Sequence, residues 1–285
     1  MRTIAAALLC LAALGGVKSA SAEVSSISFA RQYGIAFMPL AIMEAKGFVQ
    51  KNVVAAGLPE PSVDWKTFGG GNVTNEALLS GNLDFAAGGI PAYAILWDKT
   101  AGTPYEVTGL AAMGAVPAYL LTRNPNVKSI RDFGPEDRIA VPAVKASTQA
   151  IVLQMAAEKE FGVGNHDRLD PLTISRSHPD ALASISTPNG DINSHFSAPP
   201  FQEISLRDPA IHSVLTYDDV FGGPYTSVVL YTTKKFREEN PVTTKAIVEA
   251  MKETMAFIKE NKREAAQLYL DITREAMTVD ELVEV

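Results

Sequence analysis

The alternation of strand-like and helix-like stretches along most of the chain constrains its fold more than any other feature. Residues 24–30 alternate Ile27 and Phe29 with serines, the period of a strand with one buried face. A helical stretch follows over residues 36–54, with Phe37, Leu40, Ile42 and Met43 on its buried side. Residues 62–68 read as a second strand. Gly69-Gly70-Gly71-Asn72 then turns the chain into a helix ending near Leu79, and residues 83–86 form a short buried strand. Residues 107–121 are strongly apolar, but Gly109, Gly114 and Pro117 divide them into two buried strands with a turn rather than a membrane span. A comparable series follows: a strand at 138–141, a helix capped by Ser147 and ended by Gly162, and a helix start at Ser177-His178-Pro179-Asp180. After an Asn189-Gly190 turn come strands at 191–196, 211–216 and 226–232. Asn240-Pro241 caps a closing helix with Ile247, Met251, Met255 and Ile258 at helical spacing. Such alternation predicts an α/β fold with helix-covered sheets.

The ends bound the setting. Met1-Arg2, an apolar run over residues 3–14, a Gly15-Gly16 break and Ala20-Ser21-Ala22 make residues 1–22 a signal peptide, with the exported chain starting at Glu23. Cys10, the only cysteine, lies in that run behind Leu9, where a lipoprotein signal needs a small residue. The exported chain therefore expects neither disulfide nor thiolate metal site, and its 263 residues can build an ordinary core. Of 25 basic residues, Arg2 and Lys18 leave with the signal, so 23 face 32 acidic ones, a net charge of −9. An acidic surface without basic runs argues against nucleic acid and anionic membrane as partners.

An internal echo suggests two similar units. Asn75-Glu76-Ala77-Leu78 leads to Gly81-Asn82-Leu83-Asp84-Phe85, and Pro179-Asp180-Ala181-Leu182 leads to Gly190-Asp191-Ile192-Asn193-Ser194. No nucleophile elbow, zinc-protease motif, P-loop or dinucleotide fingerprint occurs. His166, His178, His195 and His212 share no metal-ligand spacing, so neither metal nor cofactor is expected. The segments that stand out follow strands: Gln32-Tyr33-Gly34, Gly69 to Asn72, Gly88-Gly89, Ser147-Thr148 and His195-Phe196-Ser197. In open α/β sheets ligands bind beyond the carboxyl ends of strands, where small residues expose backbone N–H groups and the next helix presents its positive end. That chemistry suits an anionic group. The candidate ligand-binding residues are Gln32, Tyr33, Gly34, Gly70, Gly71, Asn72, Gly88, Gly89, Ser147, Thr148, His195 and Phe196. Each has a structural alternative: Tyr33 packing at an edge, Asn72 and Ser147 capping helices, His195 bracing Pro199-Pro200. Trp65 and Trp97 are expected in or beside the core, and Arg31 and Arg123 at the surface.

At these residues the chain resembles the periplasmic substrate-binding proteins of ABC importers in the nitrate/sulfonate/taurine group. The resemblance rests on Gln32-Tyr33-Gly34 with Gly47-Phe48, and on Ser80-Gly81-Asn82-Leu83-Asp84-Phe85-Ala86. It rests also on Val127-Lys128-Ser129-Ile130-Arg131-Asp132-Phe133 and, most distinctively, on His178-Pro179-Asp180-Ala181-Leu182 with His195-Phe196-Ser197 and Pro199-Pro200-Phe201. It implies the two-lobed type II fold, with mixed sheets flanked by helices and joined by two crossing strands. Lobe 1 would hold residues 23–116 and 225–285, and lobe 2 residues 117–224. The implied role is a monomeric periplasmic receptor that closes on a small organic anion and delivers it to a permease with its ATPase subunits; a sulfonate such as taurine comes first, and nitrate, bicarbonate or a thiamine-precursor pyrimidine next. The alternative is an enzyme on the same fold, acting in pyrimidine (thiamine precursor) or menaquinone precursor synthesis. Relatives usually continue past residues 277–285 with another helical region.

Overall fold

The computed structural model describes residues 23–188, 190–223 and 225–285, so the expected signal peptide and Asn189 of the expected turn lie outside the described residues. The chain first lays down β1 (Ser26–Arg31), α1 (Met38–Lys46), α2 (Phe48–Ala55), β2 (Ser62–Thr67), α3 (Gly71–Leu79), β3 (Phe85–Gly89), α4 (Ile90–Thr100) and β4 (Val107–Gly114). It continues through β5 (Tyr119–Thr122), β6 (Ile139–Val141), α5 (Thr148–Phe161), β7 (Thr173–Ser175), α6 (His178–Ile185), β8 (Ser194–Phe196), α7 (Phe201–Ser205), β9 (His212–Thr216) and α8 (Tyr217–Phe221). It ends with β10 (Val228–Thr233), α9 (Lys234–Glu239), α10 (Pro241–Glu260), α11 (Lys262–Thr273) and α12 (Val279–Glu284).

Two five-stranded sheets result, ordered β2-β1-β3-β10-β4 and β7-β6-β8-β5-β9. They share one plan. Three strands run parallel, and the fourth place holds a strand antiparallel to both neighbours, β10 in the first sheet and β5 in the second. The internal echo follows this plan, because α3 feeds β3 and α6 feeds β8 into equivalent third places. The chain crosses between sheets over residues 115–118 and again between α8 and β10. Ser227 ties the crossings together, donating its N–H (2.9 Å) and its hydroxyl (3.1 Å) to the Gly114 carbonyl. Residues 107–121 are thus two strands of different sheets, and the expected turn is a crossing.

Both sheets are covered on both faces, which explains why their central strands read as short apolar runs. In the first, Phe29 is fully buried, stacked between Trp65 (4.5 Å) and Phe85 (4.9 Å) under α1, α2, α10 and α11. Ala30, Ala86 and Tyr231 face α3 and α4. In the second, Leu120, Ile139, Val141 and Phe196 meet α5, while Leu121 and Ala140 meet α6. Trp65 joins the core edge as expected, and Trp97 is about half exposed.

Three local expectations need correction. The helix over 36–54 is two helices, because Gly47 (φ 62) takes the left-handed conformation that ends α1. The third strand starts at Phe85, later than expected, so Gly88 and Gly89 are its last residues rather than a turn after it. Asn240 makes no side-chain cap on α10; its Oδ1 accepts the Val24 N–H at 2.9 Å. The cap comes from Glu23, whose carboxylate accepts the N–H groups of Val242 (2.9 Å) and Thr243 (2.7 Å). A charged acceptor at the helix N-terminus is favoured over a neutral amide by the helix dipole.

Candidate ligand-binding site

A cavity of about 50 Å³ lies between the two sheets, over the crossings. Its floor includes Val116, Ala118, Ser227 and Val228. Four helices start at its wall: α3 through Gly71, α4 through its cap Gly89, α5 through Ser147, Thr148 and Gln149, and α6 through His178. Each helix start carries about half a positive charge and N–H groups without a partner inside the helix. The Ser147 hydroxyl accepts one, the Ala150 N–H at 3.2 Å. Among the described residues, no Lys, Arg, Asp or Glu lines the cavity. Its electrostatics are therefore those of oriented dipoles. Tyr33, Phe37 and Tyr217 are its aromatic lining, and burial, with Tyr225 beside it, pushes the Tyr217 phenol well above its ordinary range.

The lobes touch around this space. The Ile35 N–H, from a single 3₁₀ turn after Gly34, donates to the Pro199 carbonyl across the gap at 2.8 Å. Glycines make the approach possible. A Cβ on Gly70 would lie 2.4 Å from the Pro142 carbonyl oxygen, and one on Gly89 would lie 2.5 Å from Thr148 Oγ1. Gly34, at φ 112, sits where a Cβ would come within 3.2 Å of the Pro199 carbonyl oxygen.

The structure brings Gln32, Tyr33, Gly34, Gly71, Gly89, Ser147 and Thr148 to the cavity wall. Gln32 is held there by donating to the Ala87 carbonyl at 3.2 Å. Gly70 and Asn72 line an outer cleft instead, opposite Arg176 and Asp180; Asn72 is exposed, and the cap of α3 is Gly70. Gly88 packs behind the wall against Tyr231 and Gln32. His195 and Phe196 are fully buried away from the cavity, His195 behind His178 and Phe196 in the second core. Arg31 pairs with Glu44, and Arg123 with Asp208 and the Ile185 carbonyl. A further cavity of about 130 Å³ shares Gln32, Tyr33, Gly34 and Phe37, and extends to Tyr269 and Glu275.

Sequence reading missed Gln149, His178 and Tyr217. Gln149 directly follows the Ser147-Thr148 helix start, and that adjacency was the available signal. His178 was visible as the first residue of a helix and in the segment that carries the resemblance most distinctively, but not as a candidate at the site. Burial pushes it down to about 4, and pushes His195 well below the ordinary histidine range, helped by the charge His178 would carry. Both rings are therefore neutral at physiological pH.

Fold and cavity together define a two-lobed periplasmic-binding-protein fold, with its interior space at the lobe junction. No family model matches the chain, and no curated protein matches its sequence. Solved structures do share the fold. The alkanesulfonate-binding protein SsuA from Xanthomonas axonopodis pv. citri, bound to MOPS, superposes with a TM-score of 0.71 at 14% identity, over 93% of this chain and 83% of that one. The periplasmic nitrate-binding protein NrtA from Synechocystis PCC 6803 gives 0.71 at 17% identity, over 92% and 70%. A Candida albicans gene product with the generic periplasmic binding protein fold gives 0.66 at 13%, over 92% and 80%. Among the described residues, no helix is long and apolar enough to cross a membrane, and no group of three or more His, Cys, Asp or Glu is placed to hold a metal ion.

Proposed function

We propose that the chain captures a small oxyanion between its lobes and delivers it, without chemical change, to a membrane importer. The observation that carries this reading is the convergence of four helix N-termini on a cavity whose described lining holds no acidic side chain. Size supports it. A water needs roughly 10–15 Å³ on this measure, so about 50 Å³ suits nitrate or the head of a small sulfonate. Sulfonates, taurine included, come first, with nitrate and bicarbonate next. The lobes are residues 23–116 with 225–285, and 117–224. The receptor acts as a monomer in the periplasm after losing residues 1–22, and its partners are an ABC permease with its ATPase subunits. The likeness to sulfonate- and nitrate-binding proteins supports this role through the shared fold.

A second ligand class, a neutral pyrimidine, is favoured by the rings of Tyr33, Phe37 and Tyr217 and by the lack of Lys or Arg in the described lining. Thermal unfolding with methanesulfonate, taurine, nitrate or a neutral pyrimidine separates the two. A ligand at a hundred times its Kd adds about 2.7 kcal/mol, which raises Tm by about 5–10 °C in a protein of this size. Stabilisation by at least one of the anions is expected. Stabilisation by the pyrimidine alone would replace the anion reading.

A further inference from the structure

Three side chains form a buried line leading away from the cavity. Gln149 Nε2 lies 3.3 Å from His178 Nε2, and His178 Nδ1 lies 2.9 Å from His195 Nε2. Gln149 and His178 line the cavity; His195 is fully buried behind them. Phe201, stacked on His178 at 5.5 Å with 17° between planes, fixes that ring's orientation. The line ends at His195 Nδ1, which has no hydrogen-bond partner among the described residues.

A neutral imidazole carries one N–H, so each ring offers one donor and one acceptor. The line therefore has two self-consistent proton arrangements. In the first, His178 donates from Nδ1 to His195 Nε2. His195 then carries its proton on Nδ1, where a buried N–H points at nothing, and Gln149 donates its amide N–H to the bare His178 Nε2. In the second, His195 donates from Nε2 to His178 Nδ1, and His178 donates from Nε2 to Gln149. The amide oxygen of Gln149 then faces the imidazole, and its NH₂ is released toward the cavity. The amide's oxygen and nitrogen can exchange places without moving the side chain, so the proton inventory of the rings decides which is presented. Orphaned buried N–H groups are rarer than under-used acceptors, and the second arrangement leaves only a lone pair unpartnered.

We infer that His195 is a positioning residue: by donating to His178 it holds both rings in the Nε2–H form and makes Gln149 present its NH₂ to the cavity. The consequence for selectivity rests on the oxyanion reading above. Gln149 then rewards a ligand that brings an acceptor oxygen, and rejects one that brings a donor to the same point.

Long-range ¹H–¹⁵N spectra of histidine-labelled protein read the tautomer of each ring. With four histidines in the chain the spectrum is simple, and His212, whose Nε2 lies 2.8 Å from the Val127 carbonyl oxygen, is an internal Nε2–H standard. His178 and His195 are both expected as Nε2–H. A Nδ1–H form of His178 overturns the inference, with or without ligand. His195→Gln keeps an amide donor near the Nε2 position, and should hold methanesulfonate and nitrate within about threefold of the parent affinity. His195→Phe keeps the bulk but frees His178, and should lose about tenfold while the His178 signal becomes a tautomer mixture. Parent-like affinity in a folded His195→Phe protein overturns the inference. Failure of the parent to bind either anion sinks the oxyanion reading instead, and the tautomer result in the ligand-free parent still decides the role of His195.

Discussion

Neighbouring glycines in this chain have different jobs. Gly71 meets its own lobe, where an added Cβ would lie 2.8 Å from Ala92 Cβ, so α3 and α4 pack through it. Gly70 meets the other lobe at the Pro142 carbonyl. Gly71→Ala should therefore lower stability, by about 1–3 kcal/mol for an overpacked contact. Gly70→Ala should leave Tm nearly unchanged and weaken ligand binding by about tenfold or more, because closure is blocked by about 1.4 kcal/mol or more. Paired calorimetric titration and unfolding of both variants checks this; equal stability losses would show that both glycines serve one lobe. The glycine run was legible in the sequence as a strand-to-helix turn. Its division of labour was not, since it depends on which chain segment lies opposite each Cα. Gln149 and His178 were not picked as candidates for the same reason: a glutamine and a histidine at helix starts line one cavity only because of what lies opposite them.

At the scale of the element, α10 shows how a local rule is overridden. Asn240-Pro241 has the composition of a helix start, yet the free N–H groups are taken by Glu23 from far along the chain. Glu23→Ala should cost about 1–2 kcal/mol, the range of a lost helix cap, measurable by denaturant unfolding. An unchanged midpoint would mean that water serves these groups equally well. Most elements were readable because period and punctuation agree: Ile27 and Phe29 alternate in β1, and Ser147 and Gly162 bracket α5. Two were not. β7 is three residues, too short to show a period, and α4 begins at Ile90-Pro91 directly after the strand, with no polar cap to announce it. The resemblance added what periodicity lacks, mixed sheets joined by two crossings; the place of β10 and β5 within each sheet came only with the structure.

Across the whole molecule, two desolvated sites pull stability in opposite directions with pH. His178 titrates near 4 in the folded protein against about 6.5 when unfolded, so the unfolded chain takes the proton first. Stability is full above 6.5 and falls as pH drops toward 4, by on the order of 3 kcal/mol, with His195 acting the same way. Glu275, desolvated beside the second cavity, is raised to about 7, so the folded protein holds its proton longer. Its effect is a loss of stability as pH rises from about 4.5 through 7. Glu275→Gln should therefore unfold at a higher temperature than the parent at pH 8 and at the same temperature near pH 4. A difference independent of pH would show that Glu275 acts through contacts and not through its charge.

The placement of β10 also sets an order of events at the ribosome. The strands β1 to β4 emerge first, yet the place between β3 and β4 stays empty until Thr233 has been made. The second sheet, whose strands run consecutively from β5 to β9, can be finished earlier. The first lobe is thus the last to set, and its buried face waits for α10 and α11 as well. Such long-range closure is slow to form. A chain ordered this way remains threadable for most of its own synthesis.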